Sequence, residues 1–241
     1  RHPELLIPAS SLEVLKTAVI FGADAVYIGG QKYSLRANAT NFSLEEIKEA
    51  CDFAHNLNKK VYLTLNIVFH NEDMDGVEEY IKDVVDAGID AFIVSDPFII
   101  SHIKTNYPQV EVHLSTQNST SNYKTIEYFK NEGIDRVVLA REVSHSEFKN
   151  IRKECPDIGL EIFVHGALCM SYSGQCLISA LIGNRSGNRG TCAQSCRQIY
   201  SLEIDGKIVE KDKYLLSTKD LNTLDNIGKL IDIGVNSLKI E

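Results

Sequence analysis

Apolar residues along the chain follow two rhythms. Four stretches share one pattern: glycine, an apolar or small residue, Asp or Asn, then an alternating apolar run. They are GADAVYIGG from Gly22, GIDAFIVSD from Gly88, GIDRVVLAR from Gly133 and GVNSLKIE from Gly234. Glycine suits the left-handed turn that closes a helix, and a short apolar run after it reads as a buried strand. Other runs of strand type are ELLIPA (4–9), KVYLTLNI (60–67), EVHLST (111–116) and LEIFVHG (160–166). Helical spacing fills the intervals. SLEEIKEACDFAHNL opens with Ser43 and Glu46 at capping-box spacing and sets Leu44, Ile47, Ala50, Cys51 and Ala54 on one face. MDGVEEYIKDVVDAG, PFIISHIKTNY, NYKTIEYFKNEG, HSEFKNIRKEC and LDNIGKLIDIG behave alike.

The reading gives eight strands alternating with helices, which implies a parallel sheet. Eight such units fit an α/β (β/α)8 barrel of the TIM type, complete or short of its last helix. A doubly wound open sheet is the rival, weakened because no Gly-x-Gly-x-x-Gly follows the first strand. One excursion, 167–213, interrupts the alternation after the seventh strand. It holds a hairpin, SLEIDGKIVE, with Asp205-Gly206 at its turn. The expectation is a single barrel domain over 1–241. Arg1 in place of Met, and a stop inside the strand pattern SLKIE, suggest a fragment of a longer chain.

Composition changes the picture in three ways. No apolar stretch approaches the ~18 residues of a membrane span. The net charge of −8 opposes general nucleic-acid binding, which needs a basic face; a local basic patch or a missing basic domain would have to supply it. Six cysteines without an export signal point to a reducing, cytoplasmic setting, where clustered thiols bind metal or do redox chemistry.

Four of those cysteines fall in the excursion as Cys169-x6-Cys176-x15-Cys192-x3-Cys196. Four thiolates complete a zinc site or an iron–sulfur cluster. The absence of a Cys-x-x-Cys pair favours a cluster, with zinc and free or disulfide-linked thiols as the alternatives. Cys51 and Cys155 read as core residues. Barrel chemistry sits at the C-terminal strand ends, where Asn66, Gln117, Arg141, Glu142 and His165 lie, with Arg36 in the loop beyond strand two. Asp96, Ser115, Lys239 and Glu241 complete this polar rim. Residues 166–202 contain no Asp or Glu but carry Arg185, Arg189 and Arg197. These arginines serve either an anionic substrate or the charge of a thiolate-bound cluster.

EIFVHGALCMSYSGQCLIS resembles the signature of the peptidase U32 family, and GNRGTCAQSCRQIY its second cysteine segment. AVYIGG, LSTQNSTSN, LAREVS, LLSTKDL and SLKIE resemble further blocks, so the likeness covers essentially the whole chain. The family name implies a collagenase-like peptidase. Its hydroxylase relatives imply a [4Fe–4S] cluster and oxygen-independent hydroxylation of an aromatic or nucleobase ring, in tRNA, rRNA or ubiquinone, with prephenate as hydroxyl source in the RNA cases. By motif, Cys169, Cys176, Cys192 and Cys196 match the cluster ligands, and no protease nucleophile with its base can be found. The expectation is a cluster-dependent hydroxylase acting on RNA, most of all tRNA. Arg36, Asn66, Gln117, Arg141 and Arg189 would bind substrate, and His165 or Glu142 would move protons. A peptidase, or a non-catalytic cluster-binding partner subunit, is the alternative. A small aromatic substrate, a partner subunit and a missing C-terminal domain complete the expected partners.

Overall fold

In a computed structural model, which describes residues 2–35 and 41–241, the strand runs form where the periodicity puts them. In chain order they are β1 (Glu4–Pro8), β2 (Ala25–Gly29), β3 (Lys60–Leu65), β4 (Ala91–Val94), β5 (Glu111–Leu114), β6 (Arg136–Val138) and β7 (Gly159–Gly166). The excursion follows, with hairpin strands β8 (Tyr200–Ile204) and β9 (Lys207–Lys213); then come the short β10 (Leu221–Asn222) and the last strand, β11 (Ser237–Ile240). Strands β1 to β7 pair in sequence, and β11 closes the ring between β7 and β1, all in parallel. This is a closed eight-stranded TIM-type barrel. The sequence reading did not anticipate β10, which pairs antiparallel with β7 at His165 and Gly166.

Helices α1 (Leu12–Ile20), α2 (Leu44–His55), α3 (Val77–Asp86), α4 (Pro97–Asn106), α5 (Tyr123–Asn131) and α6 (His145–Glu154) follow the first six strands. Helix α7 (Ile178–Gly183) belongs to the excursion, and α8 (Ile227–Ile233) leads into β11. Ser43 and Ser144 start α2 and α6 as full capping boxes with Glu46 and Glu147. Asp96 accepts from the Phe98 and Ile99 N–H groups, so it caps α4 rather than serving the rim.

The four-fold sequence pattern falls on alternate strands, β2, β4, β6 and β11, and the structure gives its reason. Gly22, Gly88, Gly133 and Gly234 all take positive φ at helix ends. The Asp or Asn two residues on then clamps the preceding strand. Asp24, Asp90, Asp135 and Asn236 accept, through side-chain oxygens, from the N–H groups of Leu5 (3.0 Å), Val61 (2.7 Å), Val112 (2.7 Å) and Leu160 (2.9 Å). Their own N–H groups donate back to the carbonyls of those same residues. Their carbonyls accept from Lys60, Glu111, Gly159 and Glu4, the first residues of the next strands. One device, used four times, thus fastens the N-terminal rim into a ring.

The strands carry two cores. Outward side chains such as Val26, Leu63, Phe92, Leu114 and Leu160 merge with the inner helix faces. Cys51 and Cys155 are buried there as expected, with burial pushing the Cys51 thiol up to about 12. Inside the barrel a small cluster of Leu6, Tyr27, Tyr62 and Ile93 shares the space with ion pairs. The Arg136 guanidinium reaches Glu4 (2.5 Å) and Glu161 (3.1 Å), and Tyr62 Oη donates to Glu4 (2.7 Å). No helix among the described residues is long and apolar enough to cross a membrane.

Candidate functional site

At the C-terminal mouth the barrel opens into a cavity of about 1060 Å³, roofed by the excursion. Its lining brings together Cys169, Cys176, Cys192 and Cys196 with Asn66, Gln117, Arg141 and Glu142. The parallel strand ends supply the polar side chains, because all β strands of the ring present their last residues at one rim.

The β3 and β5 ends form a fixed polar wall. Asn66 Oδ1 accepts from the Leu35 N–H (3.4 Å), and its amide nitrogen donates to Ser115 Oγ (3.4 Å). Ser115 Oγ also accepts from the Gln117 N–H (3.3 Å). That oxygen therefore receives two hydrogen bonds, and its own hydrogen meets no acceptor among the described residues. Ser115 is 1% exposed, so the free hydroxyl donor faces the cavity it lines.

Arg141 lies under the roof. Its guanidinium stacks 4.3 Å over the Phe163 ring, donates to Ser173 Oγ (2.9 Å) and pairs with Glu241. Its Nε is buried and finds no acceptor. Ser173 itself is buried, takes a further hydrogen bond from Thr116, and its carbonyl accepts from Ser119 Oγ (2.5 Å). The next residue, Gly174, has φ +75°, and a Cβ there would lie 2.5 Å from the Gln117 carbonyl oxygen. Only glycine fits that approach. Ser173-Gly174 therefore docks the excursion on the β5 and β6 loops and brings Cys176 over the mouth.

The thiols suit a soft metal or a cluster in chemistry. All four are free, none in a disulfide. Cys192 Sγ already accepts from the Gln194 N–H (3.3 Å) and the Ser179 hydroxyl (3.8 Å), the kind of outer contact that tunes a bound sulfur. The four sulfurs share one cavity without being drawn into a preformed cage. Among the described residues no three His, Cys, Asp or Glu side chains are grouped closely enough to hold an ion.

Other expected residues fall elsewhere. Arg189 faces a smaller, separate cavity of about 300 Å³. It makes a two-pronged pair with Asp73 and donates to the Val68 carbonyl (2.7 Å), so it clamps the excursion to the β3–α3 loop rather than facing the main cavity. Arg197 likewise ties Leu168 to Ser217 and Thr218. Arg185 is exposed with no ion pair among the described residues. His165 is exposed and absent from the cavity lining, with its strand carbonyl accepting from Glu241 N–H. Arg36 lies outside the described residues. Lys239, read from the sequence as a rim residue, is buried inside the barrel. Sequence reading passed over Ser173 and the ring-bearing floor residues Tyr27 and Phe163. Strand alternation carried the signal for the floor, since Phe163 shares parity with Glu161 and His165.

A closed parallel barrel with a polar, thiol-lined cavity at its C-terminal mouth is the architecture on which barrel enzymes build their sites. The chain belongs to peptidase family U32, whose model matches residues 10–241. It is 50% identical over 248 residues to the tRNA hydroxylation protein P1 of Bacillus subtilis, covering 100% of this chain and 58% of that protein. It is 37% identical over 252 residues to a collagenase of Porphyromonas gingivalis, covering 99% of this chain and 60% of that protein. The chain thus spans somewhat under two thirds of these relatives. A solved U32 peptidase shares the fold at a TM-score of 0.65 with 13% identity, covering 99% of this chain and 92% of that one.

Proposed function

We propose that this chain is the barrel part of an RNA-modifying hydroxylase that adds oxygen to a nucleobase ring in tRNA, without molecular oxygen. Cys169, Cys176, Cys192 and Cys196 would hold a [4Fe–4S] cluster. The observation that carries the reading is the convergence of four free thiols and a fixed polar wall on one cavity. The 50% identity to a protein named for tRNA hydroxylation supports the substrate class.

A cluster at this mouth would supply electron transfer or Lewis-acid activation. The chain's own residues do the rest. Asn66 and Ser115 read the polar edge of the ring, because a mutual hydrogen bond already fixes them, and Gln117, tied to Ser115 through its backbone N–H, joins them. Arg141, anchored on Phe163 and Glu241, sets the roof and holds the anionic part of a ligand or donor. Glu142, exposed on the cavity wall, moves protons; His165 lies outside that wall. The exposed Arg185 and the hairpin lysines Lys207 and Lys211 meet phosphate, with further RNA contact supplied by a domain or partner subunit beyond this acidic chain.

The test is anaerobic purification of the full-length protein, iron and sulfide analysis, and nucleoside mass spectrometry of tRNA incubated with it, with and without prephenate. Expected are about four irons per chain and a nucleoside gaining one oxygen. Stoichiometric zinc without iron removes the redox reading. The collagenase-named relative favours one rival, a peptidase. Gelatin cleavage that is chelator-sensitive and lost in Cys176→Ala would support it.

A further inference from the structure

Beneath the thiols the cavity ends on a floor that the proposed roles leave unused. Lys239 lines it together with Tyr27, Ile93, Val138 and Phe163. The Lys239 side chain is 5% exposed and Glu161 beside it is fully buried. Nζ donates to Glu161 Oε1 at 2.9 Å. It also sits 4.2 Å from the Tyr27 ring centroid and 5.6 Å from that of Phe163. An ammonium has three N–H donors, so after Glu161 two remain, and the described residues offer them ring faces alone. Arg136, Glu4 and His113, deeper in the barrel, do not reach the cavity; Lys239 is where this charged network opens into it.

A buried ion pair seldom adds stability over a well-packed apolar pair of the same volume, so the fold does not explain this one. Its charge is already balanced by Glu161. A full anion on the floor would disturb that balance, while a neutral acceptor would complete the ammonium's bonding without doing so. Its neighbours on the floor are the rings of Tyr27 and Phe163 and the aliphatic Ile93 and Val138. We propose that Lys239 is a substrate-contacting donor whose ammonium receives the keto oxygen of a neutral, planar ring seated on the cavity floor beside Tyr27 and Phe163.

This rests on the ring-hydroxylase reading for its reaction, though not for its binding chemistry. A charged donor fixed opposite a ring oxygen stabilises the negative charge that oxygen gains during attack on the ring, and it does so without reorganisation. Glu161 is then the positioning residue that keeps the lysine charged and aimed.

The test uses the full-length protein carrying Lys239→Met with Glu161→Gln, which removes both charges and leaves Arg136 its Glu4 partner. Iron content and thermal midpoint are compared with wild type, alongside tRNA turnover and calorimetric titration with uracil and with benzoate. Expected are unchanged iron, an unchanged or raised midpoint, and kcat/KM lower by about 100-fold, the scale of losing one such donor. Uracil binding should weaken at least about tenfold, and Glu161→Gln alone, which leaves the donor in place but takes away its buried counter-charge and its aim, should fall between wild type and the double variant in both turnover and uracil affinity. Turnover and uracil affinity in the double variant within threefold of wild type would overturn the proposal, as would wild-type binding of benzoate but not uracil. Should wild type hydroxylate no tRNA, the ring-hydroxylase reading falls, and the uracil titration alone decides the role of Lys239.

Discussion

The barrel floor and the excursion above it line the same cavity but are held by different physics. The floor is fixed before any ligand arrives: Lys239, Glu161, Arg136 and Glu4 are locked in one ion-pair network within a ring of strands. The excursion is pinned at a few polar points, chiefly Arg189 on Asp73, Ser173 under Arg141, and Arg197 on Leu168. Between those pins large apolar side chains such as Tyr172, Leu177, Leu181 and Ile182 are exposed. The contrast assigns the lower half of the site to shape and charge and, on the proposed reading, the upper half to four thiols that would gather around a metal group.

The sharpest way to break that contrast is to remove a thiol. Cys176→Ala should bring bound iron close to zero and turnover down by at least about 100-fold, the upper range for losing even an outer-shell partner of a metal ligand, while thermal unfolding of the barrel shifts little. Barrel unfolding together with iron loss would show the two halves to be one cooperative unit. On the floor, Glu161→Ala leaves Lys239 and Arg136 short of a buried counter-charge. Chemical denaturation should show a loss of about 3–5 kcal/mol.

Acid probes the same pair. Lys239 and Arg136 beside Glu161 outweigh its desolvation and depress its carboxyl to about 2, against an unfolded value of about 4.3. A depressed carboxylate contributes stability above its unfolded pKa and loses it as pH falls toward the folded value. Stability should therefore decline between about pH 4.3 and 2, and Glu161→Gln should flatten that part of the curve.

Smaller effects belong to the pins. Asp73→Ala leaves the Arg189 guanidinium with the Val68 carbonyl and distant Glu72. The loss should be about 1.5–3 kcal/mol of local stability, seen as faster proteolysis within 167–197 and no change in β-sheet exchange rates. Gly174→Ala, at positive φ against the Gln117 carbonyl, should cost about 1–3 kcal/mol and lower iron retention. Ser115→Ala removes a neutral donor and should cost about 1 kcal/mol, a several-fold rise in KM with iron content intact.

The barrel was legible in the sequence because its signal is local. Each Gly-x-Asp/Asn stretch carries both its helix stop and its strand clamp within a few residues. The four thiols were legible as a set, since cysteines are rare and these are clustered. The partners of the arginines were not. Arg189 meets Asp73 across 116 residues of chain, and Arg141 meets Glu241 across 100. No periodicity encodes such pairings, so a clamp read as a substrate contact. The depth of Lys239 was hidden for a related reason. Its position on β11 was clear, but its depth depends on the stagger between β11 and β7, where the register shifts just after it.

The four Asp/Asn clamps carry a consequence for how such a barrel can change over time. Every clamp joins an alternate strand to its immediate neighbours and asks nothing of the opposite rim. Loops above the mouth can therefore lengthen, as the one after β7 has, without loosening the base that keeps the strands in step. The base behaves as a four-part hoop, and novelty accumulates at the open end.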